Sequence, residues 1–172
     1  MRILITGAAG SGTSTLAAAW AQHGKAVAIE ADDFLWLPTD PTYTAQREPE
    51  ERRVLFTQAA LAHPHCVVAG SVGGWGVDDL FDAVVFLYVE TEVRLNRLRS
   101  REMARFGQVD PAFLEWAGQY DAGPPQGRSL AKQEAWLRTL RCPVIRCAGD
   151  VPVADLLAQL VATLANVPPR AS

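Results

Sequence analysis

The sequence predicts an α/β domain with a doubly wound, five-stranded parallel sheet in three layers, and two observations carry that expectation. Five short apolar runs, at residues 3–5, 26–30, 66–69, 83–89 and 143–147, alternate with segments of helical spacing. The first run enters a loop rich in glycine and hydroxyls (Gly7, Ala8, Ala9, Gly10, Ser11, Gly12, Thr13, Ser14, Thr15), and an alanine-rich helix follows.

Composition bounds the function. At 172 residues, 49% of them hydrophobic, the chain suits one domain over 1–172. A net charge of −3 supplies no general basic field, so neither nucleic acid nor an anionic membrane is an expected partner. Cys66, Cys142 and Cys147 are odd in number and form no C-x-x-C pair, which fits reduced core thiols in a cytoplasmic protein. No run approaches the roughly 18 apolar residues of a membrane span, and the chain enters its first strand without a signal-peptide pattern. A flexible tail is expected only over 167–172.

In chain order, Ser14 to His23 reads as a helix closed by Gly24, and Ala26 to Glu30 as a buried strand leading to Asp32 and Asp33. Residues 35–48, with Pro38 and Pro41, read as a loop. Helical spacing over 49–62 carries Arg47, Arg52 and Arg53 near its start. These face either an anionic acceptor or their neighbours Glu48, Glu50 and Glu51. After the third strand, Gly70 to Gly76 includes Trp75, which suits either stacking on an acceptor or plain packing. The strand over 83–89 delivers the chain to a helix with Arg94, Arg97, Arg101 and Arg105 along one stripe. That stripe calls for a counter-anion, and a phosphate-facing role is expected. Residues 106–128 are turn-rich and suit a mobile helical cover. A helix over 130–140, a strand over 143–147 and a helix over 153–164, opened by Pro152, complete the chain.

Glycines allow close backbone approach, and a helix opening near Thr13 directs unpaired N–H groups and its positive dipole end at the loop. Together these make an anion site, and phosphate is the expected anion. Gly7 and Gly12 have the spacing of the G-x-x-x-x-G-K-[ST] phosphate loop, with Ser14 as the metal-directed hydroxyl. The lysine is absent, because Thr13 stands in its place. The same glycines also look like the turn of short-chain dehydrogenases, with Asp32 and Asp33 where a ribose-binding acid belongs. Neither Lys25 nor Lys132 has a tyrosine four residues before it, so the Tyr-x-x-x-Lys pair of those enzymes is missing.

With the loop, the paired acids, the glycines of 70–76, the arginine helix and the Gly149 to Pro152 loop in this order, the chain resembles nucleoside-monophosphate-kinase-like P-loop proteins. That group includes adenylate, shikimate and gluconate kinases. More closely, it is similar to bacterial adenylate-kinase-like proteins with a lysine-less loop. The resemblance implies a P-loop NTPase fold with a helical lid at about 106–128. It also implies ATP phosphates held by Gly7 to Thr15, Mg2+ on Ser14 and Asp32, and Asp32 or Asp33 as base. Arg97, Arg101 and Arg105 would clamp phosphate or stack on adenine, with Pro152 over the base. Ser71 stands where such kinases often carry a strand-end acid, and Arg128 is the candidate substitute for the lysine, arriving when the lid closes. The implied activity is transfer of the γ-phosphoryl of Mg·ATP to a small acceptor: a nucleotide, a sugar or a carboxylate-bearing metabolite. Two alternatives stay open, a silent nucleotide-binding regulator and an NAD(P)-binding protein.

Overall fold

The computed structural model describes residues 1–123, 127–165 and 167. Its elements run β1 (Arg2–Gly7), α1 (Thr13–Gly24), β2 (Val27–Glu30), α2 (Asp32–Leu35), α3 (Pro49–Leu61) and β3 (Cys66–Ala69). They continue through β4 (Ala83–Tyr88), α4 (Thr91–Phe106), α5 (Pro111–Gly118), α6 (Leu130–Leu137), β5 (Val144–Ala148) and α7 (Val153–Leu164). One 3-10 turn, Asp78–Leu80, precedes β4. The expected lid and tail fall partly outside the described residues.

All five strands are parallel in the order β2-β3-β1-β4-β5. Parallel strands covered on both faces need apolar side chains pointing both ways, which is why β1, β3 and β4 are nearly unbroken apolar runs. Alternate residues feed two cores. Leu4, Val68 and Val84 pack with Phe56 of α3 and Leu137 of α6, while Ile3, Ile5, Val67 and Val85 pack with Leu16 of α1 and Leu156 and Leu160 of α7. Helices on both faces make the expected three layers. The edge strand β2 is less covered, with Val27 exposed.

The order carries functional information. In an open parallel sheet, ligands sit beyond the carboxyl ends of the strands where the order reverses, here between β1 and β3. The dinucleotide-binding order 3-2-1-4-5-6 sets β2 against β1, whereas β3 separates them here. That removes the structural basis for a ribose-binding acid after β2.

Helix α1 runs one residue further than its sequence suggests. Gly24 is its last helical residue and Lys25 takes the left-handed conformation (φ 50°), with Ala26 N–H returning to the Ala21 carbonyl at 3.0 Å. Cys66, Cys142 and Cys147 are free and buried. Among the described residues no helix is long and apolar enough to cross a membrane.

Candidate active site

The loop from Gly7 to Gly12 turns between β1 and α1. Ser11 N–H donates to the Ala8 carbonyl at 3.1 Å, and Gly10 (φ 82°) and Gly12 (φ 95°) take left-handed conformations. Gly7 is required for another reason: a Cβ there would lie 2.5 Å from both the Leu87 carbonyl of β4 and Ser11 Oγ. At Gly10 a Cβ would lie 2.7 Å from the Arg94 carbonyl of α4. The scaffold beneath therefore fixes the loop's shape. No side chain caps α1 and no acid lies in its first turn, so its leading N–H groups face outward with the positive end of the helix dipole.

Above the loop lies a cavity of about 700 Å³. Gly10, Ser11, Gly12, Thr13, Ser14 and Thr15 form its floor. Gly7, Ala8 and Ala9 do not reach it; Ala9 instead borders a void of about 10 Å³ with Trp116, Tyr120 and Arg128. One wall is acidic, with Glu30, Asp32 and Asp33 at the end of β2 and the start of α2. Arg97, Arg101 and Arg105 of α4 also line the cavity, as do Gly149, Val151 and Val153 between β5 and the start of α7. Pro152 does not line the cavity; its carbonyl accepts the Asp155 and Leu156 N–H groups and so starts α7.

Glu30 lines the cavity although the sequence did not single it out. Ser14 Oγ donates to Glu30 Oε2 at 3.0 Å, joining the loop hydroxyl to the β2 carboxylate. The available signal was the Glu30-Ala31-Asp32 spacing, two acids flanking a buried alanine whose N–H pairs with the Ala69 carbonyl of β3. Burial raises the Glu30 carboxyl above its ordinary range; the Ser14 hydrogen bond opposes the rise and the charges of Asp32 and Asp33 add to it. Burial likewise raises Asp32, opposed first by Arg128 and reinforced by Asp33.

The arginine stripe divides into different jobs. Arg94, expected to face phosphate, is buried beneath the loop. Its Nε donates to the Val89 carbonyl at 2.9 Å, Nη1 to the carbonyls of Ala117 at 3.1 Å and Ala9 at 3.3 Å, and Nη2 to Thr91 Oγ1 at 2.9 Å. Asp121 lies 3.7 Å away. Arg97 donates to the Gly10 and Ser11 carbonyls at 3.3 and 3.4 Å and pairs with Asp150. Arg101 pairs with Glu102 at 2.8 Å, and Arg105 lies over the Phe106 ring.

One further expectation is corrected, and two open alternatives are decided. Arg128 does not wait for a closing lid: its Nη2 already donates to the Gly7 carbonyl at 2.6 Å. Trp75 belongs to the core, edge-on to Phe56 and covered by the Arg52 guanidinium at 4.5 Å. Arg47, just before α3, pairs with Glu51 and Arg53 with Glu50 of that helix, while Arg52 lies over Trp75, so all three are engaged locally.

A family described as AAA domain matches residues 3–108, which include the loop, the β2 acids and the arginine helix. The chain belongs to this family. The uncharacterized protein YqaC of Bacillus subtilis (strain 168) is 36% identical over 165 residues, spanning 89% of this chain and 91% of that protein. Among solved structures, the fold is similar to a gluconokinase from Sinorhizobium meliloti 1021, with a TM-score of 0.57 and 20% identity over 95% of this chain and 91% of that one. It is also similar to a shikimate kinase from Bacteroides thetaiotaomicron, with a TM-score of 0.59 and 18% identity over 96% and 98% of the two chains. The fold is that of P-loop kinases, as the strand order and the loop imply.

Proposed function

We propose that this protein, acting as a single domain in the reducing cytoplasm, transfers the γ-phosphoryl of Mg·ATP to a hydroxyl of a small-molecule acceptor. The observation that carries the reading is the convergence on one cavity of the uncapped start of α1, the Ser14–Glu30 pair and Asp32. The kinase-like fold of its structural neighbours supports it.

The N–H groups of Gly12, Thr13, Ser14 and Thr15 would bind the phosphate chain, helped by the helix dipole. The donor set fits magnesium: one hydroxyl oxygen and one carboxylate oxygen lie side by side. Among the described residues no cluster of three or more His, Cys, Asp or Glu side chains forms a protein cage. Mg2+ commonly takes one or two protein ligands and completes its shell with water and substrate phosphate. Ser14 and Glu30 would hold it, with Asp32 reached through water, and when bound it neutralises charge on the transferring phosphoryl.

Asp32 is the proposed base, since it lines the cavity and its raised pKa suits proton acceptance better than an ordinary aspartate; Asp33 beside it is the alternative. As the acceptor oxygen bonds to the γ-phosphorus, its proton passes to the carboxylate, the bond to the β–γ bridging oxygen breaks, and ADP leaves. Arg101 and Arg105 reach the cavity from α4 to meet phosphate charge. Arg97, beside Val151, borders the base end.

Calorimetric titration with Mg·ATP, with NAD as control, tests the reading first, followed by ADP release across nucleotide, sugar and sugar-acid acceptors. Saturable ATP binding and acceptor-dependent ADP release that falls at least a hundredfold in Ser14→Ala and Asp32→Asn is the expected result. No ATP binding at millimolar concentration, or NAD binding in its place, refutes it.

A further inference from the structure

Three arginines touch the loop's carbonyl oxygens, and their charges are balanced differently: Arg94 at Ala9, Arg97 at Gly10 and Ser11, and Arg128 at Gly7. Arg94 has every guanidinium nitrogen hydrogen-bonded and Asp121 nearby, so it is part of the scaffold. Arg97 is neutralised by Asp150. Arg128 differs from both. Among the described residues no carboxylate lies within ion-pair distance of it, and its buried Nε has no partner. Its hydrogen bond goes to a neutral carbonyl, while Asp32 is the carboxylate whose field it feels. The loop thus carries an unneutralised cation at its first glycine and no cation at residue 13, where its own spacing calls for one.

Arg128 is also held for the task. It directly precedes Ser129, whose Oγ accepts the Lys132 N–H and starts α6, and it follows Gly127, whose left-handed conformation (φ 83°) lets the chain turn there. The side chain therefore reaches the loop from a fixed helix start, beside Ala117 and Tyr120.

We propose that Arg128 replaces the absent loop lysine, exchanging the Gly7 carbonyl for β and γ phosphate oxygens when nucleotide binds. The exchange trades a neutral acceptor for an ionised one, which makes a charge-assisted and stronger hydrogen bond. This assignment rests on the phosphoryl-transfer reading above. It also explains how the loop works with Thr13, since the cation enters from α6 rather than from the first turn of α1.

The test compares Mg·ATP, Mg·ADP and adenosine by calorimetry in wild type, Arg128→Gln, Arg128→Lys, Arg101→Ala and the double variant Arg128→Gln/Thr13→Lys, with thermal melts for each. Glutamine removes the charge and ends at the level of the arginine Nε, short of the Gly7 carbonyl, so the melts establish that each variant is folded. Arg128→Gln should weaken Mg·ATP at least tenfold, Mg·ADP less, and adenosine under twofold. Arg128→Lys should recover part of the loss, and Thr13→Lys in the glutamine background should bring ATP affinity back to within about threefold of wild type. An Arg128→Gln variant within twofold of wild type for ATP overturns the proposal. So does a folded double variant with no recovery, or a loss confined to Arg101→Ala. A wild-type protein that binds none of the three ligands removes the phosphoryl-transfer reading itself, and this assignment with it.

Discussion

Replacing Arg94 by methionine separates scaffold from ligand contact within one helix face. Arg94 is buried and its guanidinium serves the carbonyls of Val89, Ala9 and Ala117, the Thr91 hydroxyl and the Asp121 carboxylate. Methionine keeps much of the length and removes every donor. A buried acceptor left without its donor costs about 1–3 kcal/mol, and breaking a buried charge pair by deleting one partner costs about 3–5 kcal/mol. These figures overlap, because they describe one deletion, and Asp121 is partly exposed and keeps its Thr91 donor, so a loss of about 3 kcal/mol is expected. For a chain of this size, at about 2–4 °C per kcal/mol, the melting temperature should fall by roughly 10 °C. Arg101→Met is the control: its pair with Glu102 is on the surface, and pairs of that kind contribute about 0–1 kcal/mol. Urea unfolding of the ligand-free proteins reads both. A cost below about 1 kcal/mol for Arg94→Met, or equal costs for the two variants, would refute the claim that Arg94 fastens the loop from below.

Gly10→Ala and Gly12→Ala should differ although both positions are left-handed. Each carries a conformational cost of about 1–2 kcal/mol for a non-glycine residue, but at Gly12 the new methyl group meets only Arg97 Nη1 at 3.7 Å, whereas at Gly10 it meets a main-chain oxygen at 2.7 Å. Urea unfolding should rank Gly10→Ala clearly below Gly12→Ala, and equal midpoints would show that helix α4 does not set the loop's path. The raised Glu30 and Asp32 carboxyls make a pH prediction. Folded protein holds its protons to higher pH than unfolded chain does, so this contribution to stability is full below the ordinary carboxylate range and is lost as pH rises through the folded values. Asp32→Asn should flatten that decline and stabilise the ligand-free protein at neutral pH. A variant whose stability falls with pH as steeply as wild type contradicts it.

What the sequence made legible and what it concealed have a common physical basis. Strands β1, β3 and β4 announce themselves because burial on both faces demands unbroken apolar runs, and the glycine loop because only glycine tolerates its turns and contacts. The arginine helix was legible as a face but not in depth. Residues 94, 97, 101 and 105 share a stripe, yet the first turn lies under the loop and later turns lie beside the cavity, so the same side chain is a buried brace at Arg94 and a cavity wall at Arg101. Glu30 was concealed because it closes the β2 run, and its approach to Ser14 depends on β3 lying between β1 and β2. Trp75 was ambiguous because a tryptophan between glycines reads alike as a platform or as core; Phe56, distant in sequence, decides for core.

The loop's shape and its charge have separate origins, which is how the lysine could be absent without disturbing the loop. Gly7 is required by Leu87 of β4, Gly10 by the backbone of α4, and the path between them by Arg94 and Arg97 holding successive carbonyls. Residue 13 enters none of these contacts, and its side chain is half-exposed at the start of α1. A lysine there would add charge without altering the frame, just as Thr13 omits charge while leaving the frame intact. The position is thus free to vary if another cation serves the phosphates. Arg128, donating to the Gly7 carbonyl from the start of α6, is the side chain whose loss should be felt in ligand affinity more than in folding.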